Sequence, residues 1–255
     1  MTRRRWIADE VHGDTAVLIG DHASHLARVL RAEIGQEFDI ACGDTVRRGT
    51  ITSISEDRVE FSLGEQQTLK PAAEVTLVLA IFKFDRMEWA IEKCTEIGVG
   101  RIIPVIARRT DAHLAHAAAK RYERWKRLAL QASEQSRRAA PPEIAAPIQL
   151  KDLSSAGAPP AFPSTSSGQA TQPSTPVPAS YIVLAESEED TRLRDALRSR
   201  PARATLAIGP EGGWTADELK WFREAGWTSA SLGDTILRAE TAAIVAAAIA
   251  LDALH

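Results

Sequence analysis

Two stretches near the carboxy terminus combine glycines with acidic and basic side chains in an order suited to ligand chemistry. In ATLAIGPEGGWTADE, residues 204 to 218, an apolar run ends at Ile208 and Gly209, Pro210, Glu211, Gly212 and Gly213 lead on to Thr215. A loop of this kind at the carboxyl end of a strand lies where α/β sheets bind ligands, and its glycines let backbone N–H and C=O groups approach a ligand with no Cβ between them. A tight strand-to-helix turn explains glycines in general, but not three of them around a Glu and a Pro. The second stretch is SLGDTILRAETAAIVAAAIALDAL, from Ser231 to Leu254. Here Gly233 precedes Arg238, Glu240 and Thr241, which open an Ala-rich helix that is apolar nearly all round. Such a helix packs in a core or against another subunit, and its polar mouth would face the same crevice as the first loop. Taken alone, a core helix with solvated ends accounts for it equally well.

Other chemistries lack their residues. No G-x-G-x-x-G follows the first strand and no G-x-x-x-x-G-K-[ST] occurs, which disfavours a dinucleotide enzyme or a P-loop NTPase. The six histidines and two cysteines, Cys42 and Cys94, form no metal pattern, and His113 and His116 read as a surface pair, so no metal is expected.

The elements that must position these stretches follow two rhythms. Up to about residue 70 the chain reads as short strands, AVLIG, EFDIAC, RGTITSIS and RVEFSLG, which suggests a small β-barrel. One helix interrupts them, with Asp21 as its N-cap and Leu26, Val29 and Leu30 on one face. From 71 to 255, apolar runs alternate with amphipathic helices, the pattern of a parallel sheet covered on both sides. The strands are EVTLVLAI, RIIPVIA, YIVLA, ATLAIG and SASLG. Asp85 with Glu88 and Thr215 with Glu218 read as capping boxes, Gly98 and Gly226 as C-terminal caps, and a third helix as running from about Lys120 to Arg138. Residues 151–180 hold six of the chain's 13 prolines and seven serines with almost no charge, the composition of a disordered surface insertion.

At 255 residues the chain exceeds the usual domain size, and its 44% hydrophobic and 25% charged residues are those of an ordinary soluble protein. Acidic residues follow MTRRRW where a signal peptide would be apolar, and the longest apolar run, Ala242 to Leu251, is too short to span a bilayer. A cytoplasmic protein with no membrane partner is expected. The net charge of −3 conceals an uneven distribution, since Arg101 to Arg138 holds ten Lys or Arg against three acidic residues. This segment could face phosphates, although charge alone favours a solvated helix face.

IGPEGGW and LGDTILRAETAA, together with HLARVLR (25 to 31), FKFDRMEWAIEKCTEIGV (82 to 99), RIIPVIARR (101 to 109) and EQSRR (134 to 138), resemble the bacterial family of 16S ribosomal RNA uridine-N3 methyltransferases. The resemblance covers nearly all of the chain outside the insertion. It implies a PUA-like β-barrel for RNA contact at 1–70 and, at 71–255, a SPOUT domain whose C-terminal segment threads a trefoil knot. Sequence physics alone would not propose a knot. The resemblance further implies a homodimer acting on 16S rRNA or the assembled 30S subunit. S-adenosylmethionine would sit in a pocket made by Leu184, by Gly209, Pro210, Glu211, Gly212 and Gly213, and by Leu232, Gly233, Ile236, Leu237 and Arg238. The family usually carries Gly where this chain has Phe84 and Arg137.

For methyl transfer to N3 the uridine proton must leave, which assigns Arg238 to stabilising the uridine anion and Glu211 to acting as base or orienting group. Arg3, Arg4, Arg5, His25, Arg28, Arg31, Arg108 and Arg109 are the expected RNA contacts. The competing readings are a non-catalytic RNA-binding or ribosome-assembly protein on the same fold, and a knotted methyltransferase acting on transfer RNA or on a ribose 2′-OH.

Overall fold

The computed structural model describes residues 5–43, 45–67, 74–156 and 179–254. The chain divides into two compact units, Met1–Pro71 with Leu130–Pro141, and Ala72–Ala129 with Pro142–His255.

In the first unit, strands β1 (Arg5–Ile7), β2 (Glu10–His12), β3 (Thr15–Ile19), β4 (Glu37–Cys42), β5 (Thr45–Ile54) and β6 (Arg58–Gln67) make one sheet in the order β1-β4-β5-β6-β3-β2. Only Ala8 and Asp9 separate the two outermost strands. Ala8 donates to the carbonyl of Ala41 on one side and Asp9 to that of Val17 on the other, so the sheet must curl until its edges meet. Curling of this kind limits the open edge offered to foreign strands. Trp6, Leu18, Leu26, Ile40, Ile51 and Phe61 fill the interior. The strands β1 and β2, three residues each, carry no pattern that sequence reading could detect.

The helix expected from Asp21 differs from its reading. After α1 (Asp21–Ser24), which has no side-chain cap, His25–Val29 winds as a π-helix, closed by the amide of Leu30 donating to the carbonyl of His25 at 3.1 Å. This wider winding breaks the expected stripe. Leu26 is buried, whereas Val29 and Leu30 face solvent. Arg137 has φ 60, in the left-handed region that favours glycine, and Arg5 donates to its carbonyl.

The second unit is built on a parallel sheet of β7 (Glu74–Ala80), β8 (Arg101–Ile106), β9 (Glu143–Ile144), β10 (Ile148–Gln149), β11 (Ala179–Leu184), β12 (Arg203–Ile208) and β13 (Thr228–Ala230). The order is β10-β8-β7-β12-β11-β13, with β9 also paired to β8. Alternation within the strands divides the core. Leu77, Leu79, Leu206, Ile208 and Ile182 point to one face, against α2 (Phe84–Ile97), α6 (Ala239–Leu254) and Trp125 of α3 (Ala112–Gln135). Val78, Val183 and Ala207 point to the other, against Trp214, Trp227 and Phe222 of α5 (Ala216–Glu224). The short helix α4 (Leu193–Ala196) precedes β12.

Thr215 and Glu218 form the expected capping box, and Gly98 closes α2 at φ 117. Asp85 and Glu88 do not form theirs. The helix already starts at Phe84 after Lys83, and Glu88 turns instead to Arg121 (3.3 Å) and Arg124 (2.8 Å) on α3. The third helix begins at Ala112, well before Lys120, and ends at Gln135. Of the expected insertion, residues 151–156 complete a 3-10 helix, Leu150–Ala156, and Ala179 begins β11; residues 157–178 lie outside the described residues. Among the described residues no helix is long and apolar enough to cross a membrane.

Candidate functional site

Strands β11, β12 and β13 are neighbours, so the loops leaving their carboxyl ends emerge side by side. These loops enclose a cleft of about 490 Å³, within the range of small-molecule sites. Leu184, Gly209 to Gly213, Leu232, Gly233, Ile236, Leu237 and Arg238 all line it, so every residue expected in the pocket is brought to one place. Glu186 and Ser187, which sequence reading left out, also contribute, and Ile236 stands 78% exposed.

The glycine loop is held from outside by the turn after β8. Arg109 donates from Nη1 to the carbonyl of Gly212 at 2.6 Å and lies 3.4 Å from that of Trp214. The amide of Arg108 donates to Oε1 of Glu218 at 2.7 Å, while Oε2 accepts from the amide of Thr215 at the same distance. Within the loop, Gly213 donates to the carbonyl of Pro210 (2.8 Å) with φ +68. A Cβ on Gly209 would stand 3.3 Å from the Trp214 indole, so the loop lies directly on that ring.

The loop after β13 has its own anchors. Ser231 pairs with Thr191 and Leu193 through backbone bonds of 2.9 Å, and Asp234 meets Arg192 at 2.5 Å. The carbonyl of Arg238 accepts from the amide of Ala242 at 2.8 Å and so caps α6. Its side chain is exposed and has no ion-pair partner among the described residues. Glu211 meets Arg86 of α2 at 3.7 Å, and the same guanidinium reaches Glu240 at 3.6 Å. Neither Arg86 nor Glu240 was singled out from the sequence for this role, since nothing local marks a pairing between residues so far apart in the chain.

The expected RNA contacts have mixed surroundings. Arg3 and Arg4 lie outside the described residues. Arg5 is engaged on Arg137, His25 has its ring 5.9 Å from that of Trp6, and Arg28 pairs with Glu56 at an exposed position. Arg31 is exposed with φ 50. The guanidinium of Arg109 is committed to loop carbonyls, whereas Arg108 enters the network through its backbone and keeps its side chain at the surface. Four of the ten cations of the positive segment are paired with carboxylates, Arg101 with Glu143, Arg121 and Arg124 with Glu88, and Lys126 with Glu123. Among the described residues no group of His, Cys, Asp and Glu could hold a metal ion. Cys94 lies on the buried face of α2, where burial pushes its thiol up to about 12.

Comparison with known proteins agrees with this geometry. A family model for an RNA methyltransferase domain matches residues 69–251. The chain is 31% identical over 240 residues to the "Ribosomal RNA small subunit methyltransferase E" of Synechocystis, covering 92% of this chain and 72% of that protein. It is 32% identical over 239 residues to the protein of the same name from Rickettsia conorii, with 91% and 87% covered. A crystal structure of a ribosomal RNA small subunit methyltransferase E from Neisseria gonorrhoeae bound to S-adenosyl methionine superposes with a TM-score of 0.79 at 26% identity, covering 97% of this chain and 96% of that one.

Proposed function

The chain belongs to the RNA methyltransferase family, and from that membership we propose that it transfers the methyl group of S-adenosylmethionine to N3 of a specific uridine in 16S ribosomal RNA. The observation that carries the reading is the meeting of the 209–213 and 232–238 loops in one cleft, with an uncommitted Arg238 beside it. The names of the relatives supply the substrate class, small-subunit ribosomal RNA.

The residues present suit the cofactor. The volume fits a ligand of that size, and glycines let loop amides and carbonyls meet an adenosine without side chains between. Gly209 to Gly213, Leu232, Gly233, Ile236 and Leu237 would hold it, with Leu184 at the end of β11. When bound, it supplies a methyl group activated by a sulfonium. Loops that hold the donor in line with the acceptor would supply much of the rate through alignment. Arg238 offsets the charge that develops on the uracil ring as the N3 proton leaves. Glu211, tied to Arg86, fits the orienting role better than that of a free base.

The curled sheet of the first unit is read as a PUA-like RNA-contact domain, and Arg3, Arg4, Arg28 and Arg31 are proposed as its phosphate contacts. The passage from β12 across β11 to β13, followed by the 231–238 loop and α6, is read as the trefoil knot. The partly exposed apolar side chains Ile244, Val245 and Ile249 of α6 support a homodimer, acting in the cytoplasm on 16S RNA or the assembled 30S subunit.

Mass spectrometry of nucleosides from 16S RNA and from 30S subunits, each treated with the protein and S-adenosylmethionine, tests the proposal. One additional methyl on a uracil base is expected. A methylated ribose, or methylation of transfer RNA treated in parallel while 16S RNA and 30S subunits stay unmodified, overturns the N3 assignment, and binding without any methylation points to an RNA-binding protein.

A further inference from the structure

We propose that Arg86 is a positioning residue that sets the width of the cleft by tying its two walls to α2; this rests on the reading of the cleft as the methyl-donor site. Glu211 belongs to the loop after β12, and Glu240 to the first turn of α6, which follows the loop after β13. The two carboxylates converge on the same nitrogen, Nη1 of Arg86, at 3.7 and 3.6 Å. Without the cation between them they would repel each other, and the glycine loop that carries Glu211 would move away from the start of α6.

The two contacts differ in kind. The Glu240 side chain is only 7% exposed, and its Oε2 has no hydrogen-bond partner among the described residues. A buried carboxylate so placed depends strongly on the nearest cation. The Glu211 side chain is 40% exposed, so its pairing adds little to stability and acts mainly on where the glycine loop sits. Arg86 therefore has a stabilising contact on one side and a positional contact on the other. The helix α2, packed against α6 in the shared core that includes Met87, Ala90 and Ile91, gives it a fixed base.

Separating these contacts tests the proposal. R86M, R86K and R86M/E240Q would be compared with the wild-type chain in thermal melting, in calorimetry with S-adenosylmethionine, and in hydrogen exchange of the 209–214 amides without ligand. R86M is expected to melt lower, to bind the methyl donor more weakly on the order of ten-fold, and to exchange faster in the loop. R86M/E240Q, which no longer strands a buried charge, recovers its melting temperature but keeps both the weak binding and the fast loop exchange, because Glu211 remains untethered. R86K, which restores the charge, returns most of the affinity. A double variant that binds and exchanges like the wild type overturns the proposal, leaving Arg86 as a partner of Glu240 alone. If the wild-type chain does not bind the methyl donor, the reading of the cleft fails, and the exchange comparison still decides the role of Arg86.

Discussion

Nη1 of Arg109 donates to the carbonyl of Gly212 at 2.6 Å, and this contact joins the turn after β8 to the cleft loop after β12. A hydrogen bond from a charged donor contributes about 1.5–3 kcal/mol, and exposure of Arg109 puts this one toward the low end. Replacing Arg109 by Met should lower the melting temperature modestly but weaken S-adenosylmethionine binding more clearly, since the bond fixes the loop and not the core. Calorimetry against thermal melting separates the two effects, and equal affinity in R109M would show that the loop holds its shape unaided.

Two left-handed positions should respond to substitution with opposite signs. Gly213 has φ +68 with open space around it, so Gly213→Ala meets only backbone strain of about 1–2 kcal/mol. Arg137 already bears that strain at φ 60, and Arg137→Gly should relieve it while keeping the carbonyl that Arg5 uses. Thermal denaturation is expected to show G213A less stable and R137G slightly more stable. A destabilised R137G would mean that the Arg137 side chain makes a compensating contact.

The Thr215–Glu218 capping box and the Gly98 cap were readable because their partners lie within a turn of each other. The central parallel strands β7, β8, β11 and β12 were readable because their runs are largely apolar and buried, whereas β9 and β10, two residues each, were not read. Asp85 and Glu88 matched the same capping pattern, but two arginines on α3 compete for Glu88, and no local rule reveals them. The π-helical winding at His25–Val29 escaped for a related reason, since spacing that suits an α-helix placed Val29 and Leu30 beside Leu26. Resemblance supplied the pocket residues, and the fold brings all of them to one cleft. Arg86 and Glu240 required the fold itself, because their relation to Glu211 exists only once three distant segments meet.

The two cysteines should react very differently. Burial raises the thiols of both, but Cys94 to about 12 and in a sealed position, whereas Cys42 is half-buried and has the Arg47 guanidinium acting in the opposite direction. Because the thiolate is the reactive form, iodoacetamide at pH 8 should label Cys42 slowly and leave Cys94 intact until the protein is unfolded. Peptide mass spectrometry with and without denaturant reads this directly, and early labelling of Cys94 would show that the α2 core opens.

Binding of RNA should depend on salt through particular arginines. The pairing of Arg28 with Glu56 is exposed on both sides, so it contributes little and can be exchanged for a phosphate. Each lost phosphate contact lowers the slope of log affinity against log salt by about one, so replacing Arg28 and Arg31 together should flatten it by about two. R109M should leave the slope unchanged, because that guanidinium is occupied by carbonyls. An unchanged slope in the Arg28/Arg31 variant would remove both from the RNA surface.

Arg238 offers the sharpest separation of catalysis from folding. Its structural contribution comes from its carbonyl, which accepts from Ala242 at 2.8 Å and is retained in Arg238→Ala. The side chain is exposed and has no ion-pair partner among the described residues, so its loss should leave the melting temperature unchanged. If it stabilises charge developing on the uracil, kcat should fall by about 10²-fold or more, as when a preorganised donor is removed from other sites. Affinity for S-adenosylmethionine, measured by calorimetry, should change far less than turnover, because the donor's grip comes from loop backbone. Near-normal methylation by R238A would remove Arg238 from the mechanism and transfer the charge-stabilising role to a group contributed by the RNA or by a second subunit.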